Sequence, residues 1–182
     1  MGREAGVGNV TLSRYHDLLR ALYLVDPLPA WAASVAKRMI KAPKVTFPDT
    51  GLAAYLLGVT QTRLESDRTL FGALLENFVV GEVRRQLGWS GVAAQAFHYR
   101  TAGEQEVDLL LGHRDGRLAG IEVKAARTVT SSDFRGLRAL QDELGLRFHR
   151  GVMLYTGEAT IPFGDRLLAA PIGTLWQSHE AR

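Results

Sequence analysis

The sequence predicts an α/β protein, and three observations carry that expectation. Apolar residues recur at helical spacing over 67–87. Three short alternating runs follow at 96–101, 105–112 and 117–126. A second helical run over 131–144 then leads into an apolar strand at 148–155. Side chains repeat every 3.6 residues on a helix and every two on a strand, so these changes of period set the order helix, three strands, helix, strand.

Taken from the start, Val10, Leu12, Tyr15, Leu18, Leu19, Leu22 and Tyr23 mark one amphipathic helix that Asp26-Pro27-Leu28-Pro29 ends. Residues 31–40 fit a strand pair or a short helix. Val45-Thr46-Phe47 is apolar, Pro48-Asp49-Thr50-Gly51 is a turn, and a short helix is expected over 52–58. The polar stretch 59–66 reads as a linker. The predicted division is therefore a segment 1–65 and a domain 66–182.

In the domain, Ser66 and Asp67 are cap candidates for a helix carrying Leu70, Phe71, Leu74, Leu75, Phe78, Val79 and Val83, which Gly88 stops. Ser131 and Ser132 are cap candidates for the second helix, with Phe134, Leu137, Leu140 and Leu144 on its buried side. A last short strand is expected over 167–172.

A chain of 182 residues with 46% hydrophobic and 23% charged residues suits one ordinary globular domain with a smaller attachment. No apolar run approaches the ~20 residues that span a bilayer, and the first residues lack a signal-peptide core, so a cytoplasmic location without membrane association is expected. The sequence has no cysteine. Any metal would be held by carboxylate, carbonyl, imidazole or water, which favours Mg2+ or Mn2+. The net charge of +3 lies wholly in residues 1–65, with 8 Lys/Arg against 5 Asp/Glu, since residues 66–182 hold 14 of each. That surplus is compatible with a nucleic-acid partner and is too small to indicate one.

In Ile121-Glu122-Val123-Lys124-Ala125, Glu122 and Lys124 share one strand face while Ile121, Val123 and Ala125 share the other. In the preceding strand Val107, Leu109 and Leu111 alternate against Asp108. Asp108 falls opposite Glu122 if the hairpin is centred on Asp115, through a three-residue loop Arg114-Asp115-Gly116 with Gly116 left-handed, or its five-residue extension. A two-residue turn would throw the two carboxylates to opposite faces. Facing carboxylates repel unless a cation intervenes. A divalent ion would relieve the repulsion, and Lys124, one pleat on, would hold a water or a phosphate; this is the layout of metal-assisted phosphodiester hydrolysis. Glu76 is a third acid, on a helix arc of Gly72, Val79, Val80 and Val83, where a carboxylate calls for water or a specific partner.

Gly72-Ala73-Leu74-Leu75-Glu76-Asn77-Phe78-Val79, Phe97-His98-Tyr99-Arg100-Thr101, Glu106-Val107-Asp108 and Ile121-Glu122-Val123-Lys124 together resemble a C-terminal domain of unknown function in a large bacterial and archaeal family of AAA+ ATPases. That domain is similar to PD-(D/E)XK nucleases. Pro43-Lys44-Val45-Thr46-Phe47-Pro48-Asp49-Thr50-Gly51-Leu52 resembles the family's link between winged helix and nuclease-like region, and residues 11–29 resemble the last helix of the winged helix. The resemblance implies a PD-(D/E)XK (restriction-endonuclease-like) core preceded by a partial winged-helix segment, with a metal-dependent nuclease function acting on DNA. Asp108 and Glu122 would ligate Mg2+ or Mn2+, Glu76 would complete or orient the shell, and Lys124 would position the water. Val107 replaces the usual proline before the aspartate. The alternative is a catalytically inactive DNA- or partner-binding module on the same scaffold.

The family's ATPase domain carries a phosphate-binding loop, and no G-x-x-x-x-G-K-[ST] run occurs here, so no ATP hydrolysis is expected. The chain reads as a C-terminal fragment, a truncated product or a stand-alone derivative, with an ATPase partner supplied elsewhere in the last case. Arg127, Arg135 and Arg138 are candidates for phosphate contacts, against the reading of a solvated helix face; Gln141 is a further candidate for substrate contact. Glu104 and Glu106 read as solvated loop acids, His98 and Tyr99 as strand packing, and Trp31, Trp89 and Trp176 as core or boundary residues.

Overall fold

The computed structural model describes residues 6, 8–32, 42–100 and 106–177. The helices are α1 (Asn9–Ala21), α2 (Thr50–Leu56), α3 (Gln61–Ser66), α4 (Arg68–Trp89) and α5 (Arg135–Leu144). The strands are β1 (Asp26–Leu28), β2 (Lys44–Thr46), β3 (Ala94–Arg100), β4 (Glu106–His113), β5 (Leu118–Lys124), β6 (Phe148–Tyr155), β7 (Ile161–Gly164) and β8 (Leu167–Pro171). The predicted order helix, three strands, helix, strand is present as α4, β3 to β5, α5 and β6. Residues 33–40, within the ambiguous stretch after Trp31, lie outside the described residues, as does Glu104.

β3 to β8 form one six-stranded mixed sheet in the order β3-β4-β5-β6-β8-β7. β4 pairs antiparallel with both β3 and β5, whereas β6 lies parallel to β5 and β8 lies parallel to β6. A parallel neighbour needs a crossover, and α5 supplies it between β5 and β6. Helices cover both faces. Val79, Val80 and Val83 of α4 pack with Leu109, Ile121, Leu154 and Ala170. Leu137, Leu140 and Leu144 of α5 pack with Val107, Leu110, Leu118, Phe148 and Met153 on the other face. Both helix stripes are thus buried against a sheet that is apolar on both sides.

Local chemistry explains the ends. Asp67 caps α4 by accepting from the Leu70 N–H (2.9 Å). At the predicted second helix the cap is Thr130 rather than a serine: a capping box with Asp133 opens a 3-10 turn, Ser131–Phe134, which feeds α5. The stretch 59–66, expected as a polar linker, contains α3, capped by the Thr60 hydroxyl on the Arg63 N–H. β7 was not expected; it forms a hairpin with β8 on the sheet edge.

The N-terminal segment is joined to this core. β1 and β2 pair antiparallel, and Leu28 and Trp31 are buried in the two apolar clusters. Only Trp31 of the three tryptophans is core, since Trp89 is 71% and Trp176 52% exposed. The apolar residues of α1 are largely uncovered among the described residues, with Tyr15 55% and Leu18 59% exposed.

Candidate active site

The β4–β5 hairpin sets the geometry. Leu109 pairs with Ile121 and Gly112 with Leu118, a register centred on Asp115. The His113 N–H reaches the Arg117 carbonyl at 2.9 Å, and Gly116 closes the three-residue loop at φ +90°. This is the predicted three-residue loop Arg114-Asp115-Gly116, and a positive φ at Gly116 suits glycine. The ladder stops one residue short of Asp108, where β4 bulges: Phe97 pairs with Leu110 but Tyr99 with Val107, so His98 faces both Asp108 and Leu109.

The bulge breaks the expected alternation. Val107 packs on the α5 side while Leu109 and Leu111 pack on the α4 side, although the simple pattern put all three on one face. Asp108 is freed to turn its carboxylate along the sheet, where Oδ2 accepts from the Val123 N–H at 2.9 Å. Burial pushes the Asp108 carboxyl well above its ordinary range, with the charge of Glu76 adding to the effect and the Val123 N–H and Lys44 opposing it.

Glu122, next along β5 from Ile121, faces α5. Its Oε1 is buried without a hydrogen-bond partner. Burial, then the charges of Asp108 and Asp133, push its carboxyl up to about 8, against the Leu137 backbone N–H. Gly136 makes this position possible: a Cβ there would stand 2.3 Å from Glu122 Oε1 and 2.6 Å from the Glu106 carbonyl oxygen. No sequence pattern marked Gly136 beyond its place in the first turn of a predicted helix.

Lys124 lies on the Glu122 face and is ion-paired with Asp133, the same carboxylate that accepts from the Thr130 N–H (2.7 Å) and hydroxyl (2.9 Å). Burial works against the Asp133 charge, but Lys124 and Thr130 outweigh it and hold the carboxyl below its ordinary value. The capping box therefore fixes the partner of the site lysine, a role that sequence reasoning missed.

Glu76 comes in from α4 and is ion-paired with Lys44 of β2. The Lys44 ammonium also lies 3.2 Å from Glu106 and 4.0 Å from Asp108. Burial opposes its charge, yet Glu76, Asp108 and Glu106 outweigh that and raise its pKa. Glu106, read from the sequence as a solvated loop acid, is thus part of the cluster, because β4 starts at this residue and carries it to Lys44.

The structure brings Asp108 and Glu122 within electrostatic reach of each other and leaves Glu76 neutralised by Lys44. Among the described residues, no group of three or more His, Asp or Glu side chains is arranged to hold a metal ion. Two carboxylates still suit a hard divalent cation, because Mg2+ commonly takes one or two and fills the remaining positions with water and phosphate oxygens. The orphaned Glu122 Oε1 and the all-oxygen donor set fit such an ion.

The remaining candidates are dispersed. Arg127 pairs with Glu158 at 2.9 Å, both largely exposed. Arg138 donates to the Ser131 carbonyl and lies over the Phe134 ring. Arg135 is exposed on α5. Tyr99 is buried with its hydroxyl on Glu143. The His98 ring contacts the Ala42 carbonyl at 3.2 Å. No helix among the described residues is long and apolar enough to cross a membrane.

This α/β chain, with its acids gathered at a strand bulge, belongs to the family of the domain of unknown function DUF4143, whose model matches residues 71–175. A second domain of unknown function, DUF8612, matches residues 1–63. The chain is similar to Uncharacterized protein Rv2008c of Mycobacterium tuberculosis and Uncharacterized protein Mb2031c of Mycobacterium bovis, at 32% identity over 94% of its own length in each case. It spans 37% of the length of each of these relatives. No solved structure matches it.

Proposed function

We propose that the chain carries a divalent-metal-dependent nuclease-like domain acting on DNA, on a PD-(D/E)XK scaffold, with residues 1–65 as a partial winged-helix segment. The observation that carries the reading is Glu122: a half-buried carboxylate with one fully buried, unpartnered oxygen, pushed up to about 8 mainly by burial, beside Asp108, whose charge burial also disfavours. Two such groups in one place are costly for a fold that never meets a cation. Strongly shifted acids of this kind concentrate at functional sites.

In this reading Asp108 and Glu122 would hold Mg2+ or Mn2+, and the ion would supply Lewis-acid activation of water and charge to offset that of a phosphate. Val123 orients Asp108 through its N–H, and α5 with its glycine shields Glu122 from water. Lys124, steadied by Asp133, presents its ammonium along the Glu122 face to a water or a phosphate oxygen. The order of α4, β3 to β5, α5 and β6 supports the scaffold assignment. One observation favours a second reading, an inactive binding module: both lysines of the cluster are already paired with carboxylates.

Incubation of the purified chain with linear, nicked, branched and single-stranded DNA in Mn2+ separates the two. Cleavage by the wild type that disappears in both Asp108→Ala and Lys124→Ala is expected. Binding without cleavage on every substrate would support the inactive module instead, and cleavage that survives both substitutions would refute the site.

A further inference from the structure

The interaction between Lys44 and the acidic cluster is unlike an ordinary surface ion pair in two respects. First, one ammonium meets carboxylates from two separate elements, Glu76 on α4 and Glu106 and Asp108 on β4, the nearest of them 32 residues away in sequence. Second, the chain that carries it is fixed in place. Asn77, the residue after Glu76, accepts from the Phe47 N–H at 2.8 Å and donates to the Phe47 carbonyl at 2.9 Å and to the Thr50 hydroxyl at 2.8 Å. Arg85, two turns further along α4, donates to the Pro48 carbonyl at 3.2 Å. The helix that contributes Glu76 therefore also grips the strand end that contributes Lys44.

We propose that Lys44 is a tethered cation of the site: without metal, its ammonium is a counter-ion shared by Glu76, Glu106 and Asp108, and a divalent ion at Asp108 competes with it and displaces it. The inference rests on the assignment of Asp108 and Glu122 as the ligands. Its physical basis is charge balance. Like-charged acids brought together need a counter-ion, and among the described residues Lys44 supplies one at this cluster. An ammonium 4.0 Å from Asp108 Oδ1 and a divalent ion on the same carboxylate repel each other strongly at such range. Entry of the ion therefore drives the flexible lysine stem outward, where solvent is accessible, since the Lys44 side chain is 30% exposed. The Asn77 clamp keeps the stem close, so the ammonium returns when the ion leaves.

The test compares full-length wild type, Lys44→Met and Lys44→Arg after treatment with EDTA, with Mn2+ as the probe, by calorimetry and thermal unfolding. Lys44→Met keeps an apolar stem and removes the charge; Lys44→Arg keeps the charge. Lys44→Met is expected to bind Mn2+ about tenfold more tightly than wild type, because the competing charge is gone. It is also expected to unfold at a lower temperature in EDTA and to recover in millimolar Mn2+, with Lys44→Arg close to wild type in both measurements. Unchanged or weaker Mn2+ binding in Lys44→Met, alongside wild-type binding that Glu122→Gln abolishes, overturns the proposal and leaves the ligand assignment standing. No Mn2+ binding by either wild type or Lys44→Met removes the ligand assignment and the proposal with it. A Lys44→Met protein unfolded with Mn2+ as well as without overturns the proposal too, since the ion would then be unable to replace the ammonium.

Discussion

Glu122→Gln should stabilise the metal-free protein, and by an amount that depends on pH. The wild-type carboxyl sits at about 8 in the fold against an ordinary value of 4.5, chiefly because burial disfavours its charge. A carboxyl whose folded value is raised favours the fold while it stays protonated. Its contribution is full below the unfolded value and is lost as pH rises through the folded one. Each tenfold change in proton affinity is worth about 1.36 kcal/mol, so relative to acid conditions the wild type loses about 1 kcal/mol at pH 5, about 3 kcal/mol at pH 7 and approaches 5 kcal/mol above pH 8. Rotation of the side chain towards water makes these upper values. Glutamine has nearly the same shape and no charge to lose. Urea denaturation in EDTA at pH 5, 7 and 8.5 should therefore show the variant gaining on wild type steadily across the series. Equal differences at all three pH values, or a variant less stable than wild type at pH 7, would refute the claim that Glu122 is held protonated by burial.

Gly136→Ala should destabilise the fold by about 1–2 kcal/mol, since the ~1 kcal/mol of helix propensity gained is outweighed by driving a methyl group into Glu122 Oε1 at 2.3 Å and the Glu106 carbonyl at 2.6 Å. Thermal unfolding measures it, and a rise in the midpoint would show that the close approach is not real. Asp133→Ala removes the acceptor for Thr130 and the partner of Lys124, so it should cost about 1–2 kcal/mol in urea titration and also lower any DNA cleavage. An unchanged unfolding midpoint would count against the capping box.

Much of the fold is legible in the chain because its signals are local. The helical stripe of α4, the alternating strand runs and the stripe of Leu137, Leu140 and Leu144 each follow from periodicity within one element. The β4–β5 register is also local, since the residues that can close a three-residue loop with a left-handed glycine fix which strand residues face each other. Helix α3 was hidden because its residues are polar and exposed, so it carries no buried stripe to read. Strand β7 was hidden because four largely exposed residues on a sheet edge have no alternation to show.

For the candidate site, strand alternation and turn chemistry already place Asp108, Glu122 and Lys124 together on β4 and β5. Their partners come from other elements, which the tertiary structure brings in. The bulge that turns Asp108 arises from its pairing with β3, a strand whose register no local pattern specifies. Lys44 reaches Glu76, Glu106 and Asp108 because Asn77 and Arg85 of α4 and the pairing with β1 hold a segment that lies 30 residues before Asn77 in the chain. The pKa of Glu122 depends on how closely α5 settles over it, a distance set by the absence of a Cβ on Gly136. Periodicity and turn chemistry act over a few residues, whereas the burial and charge that define this site come from elements far apart in the chain.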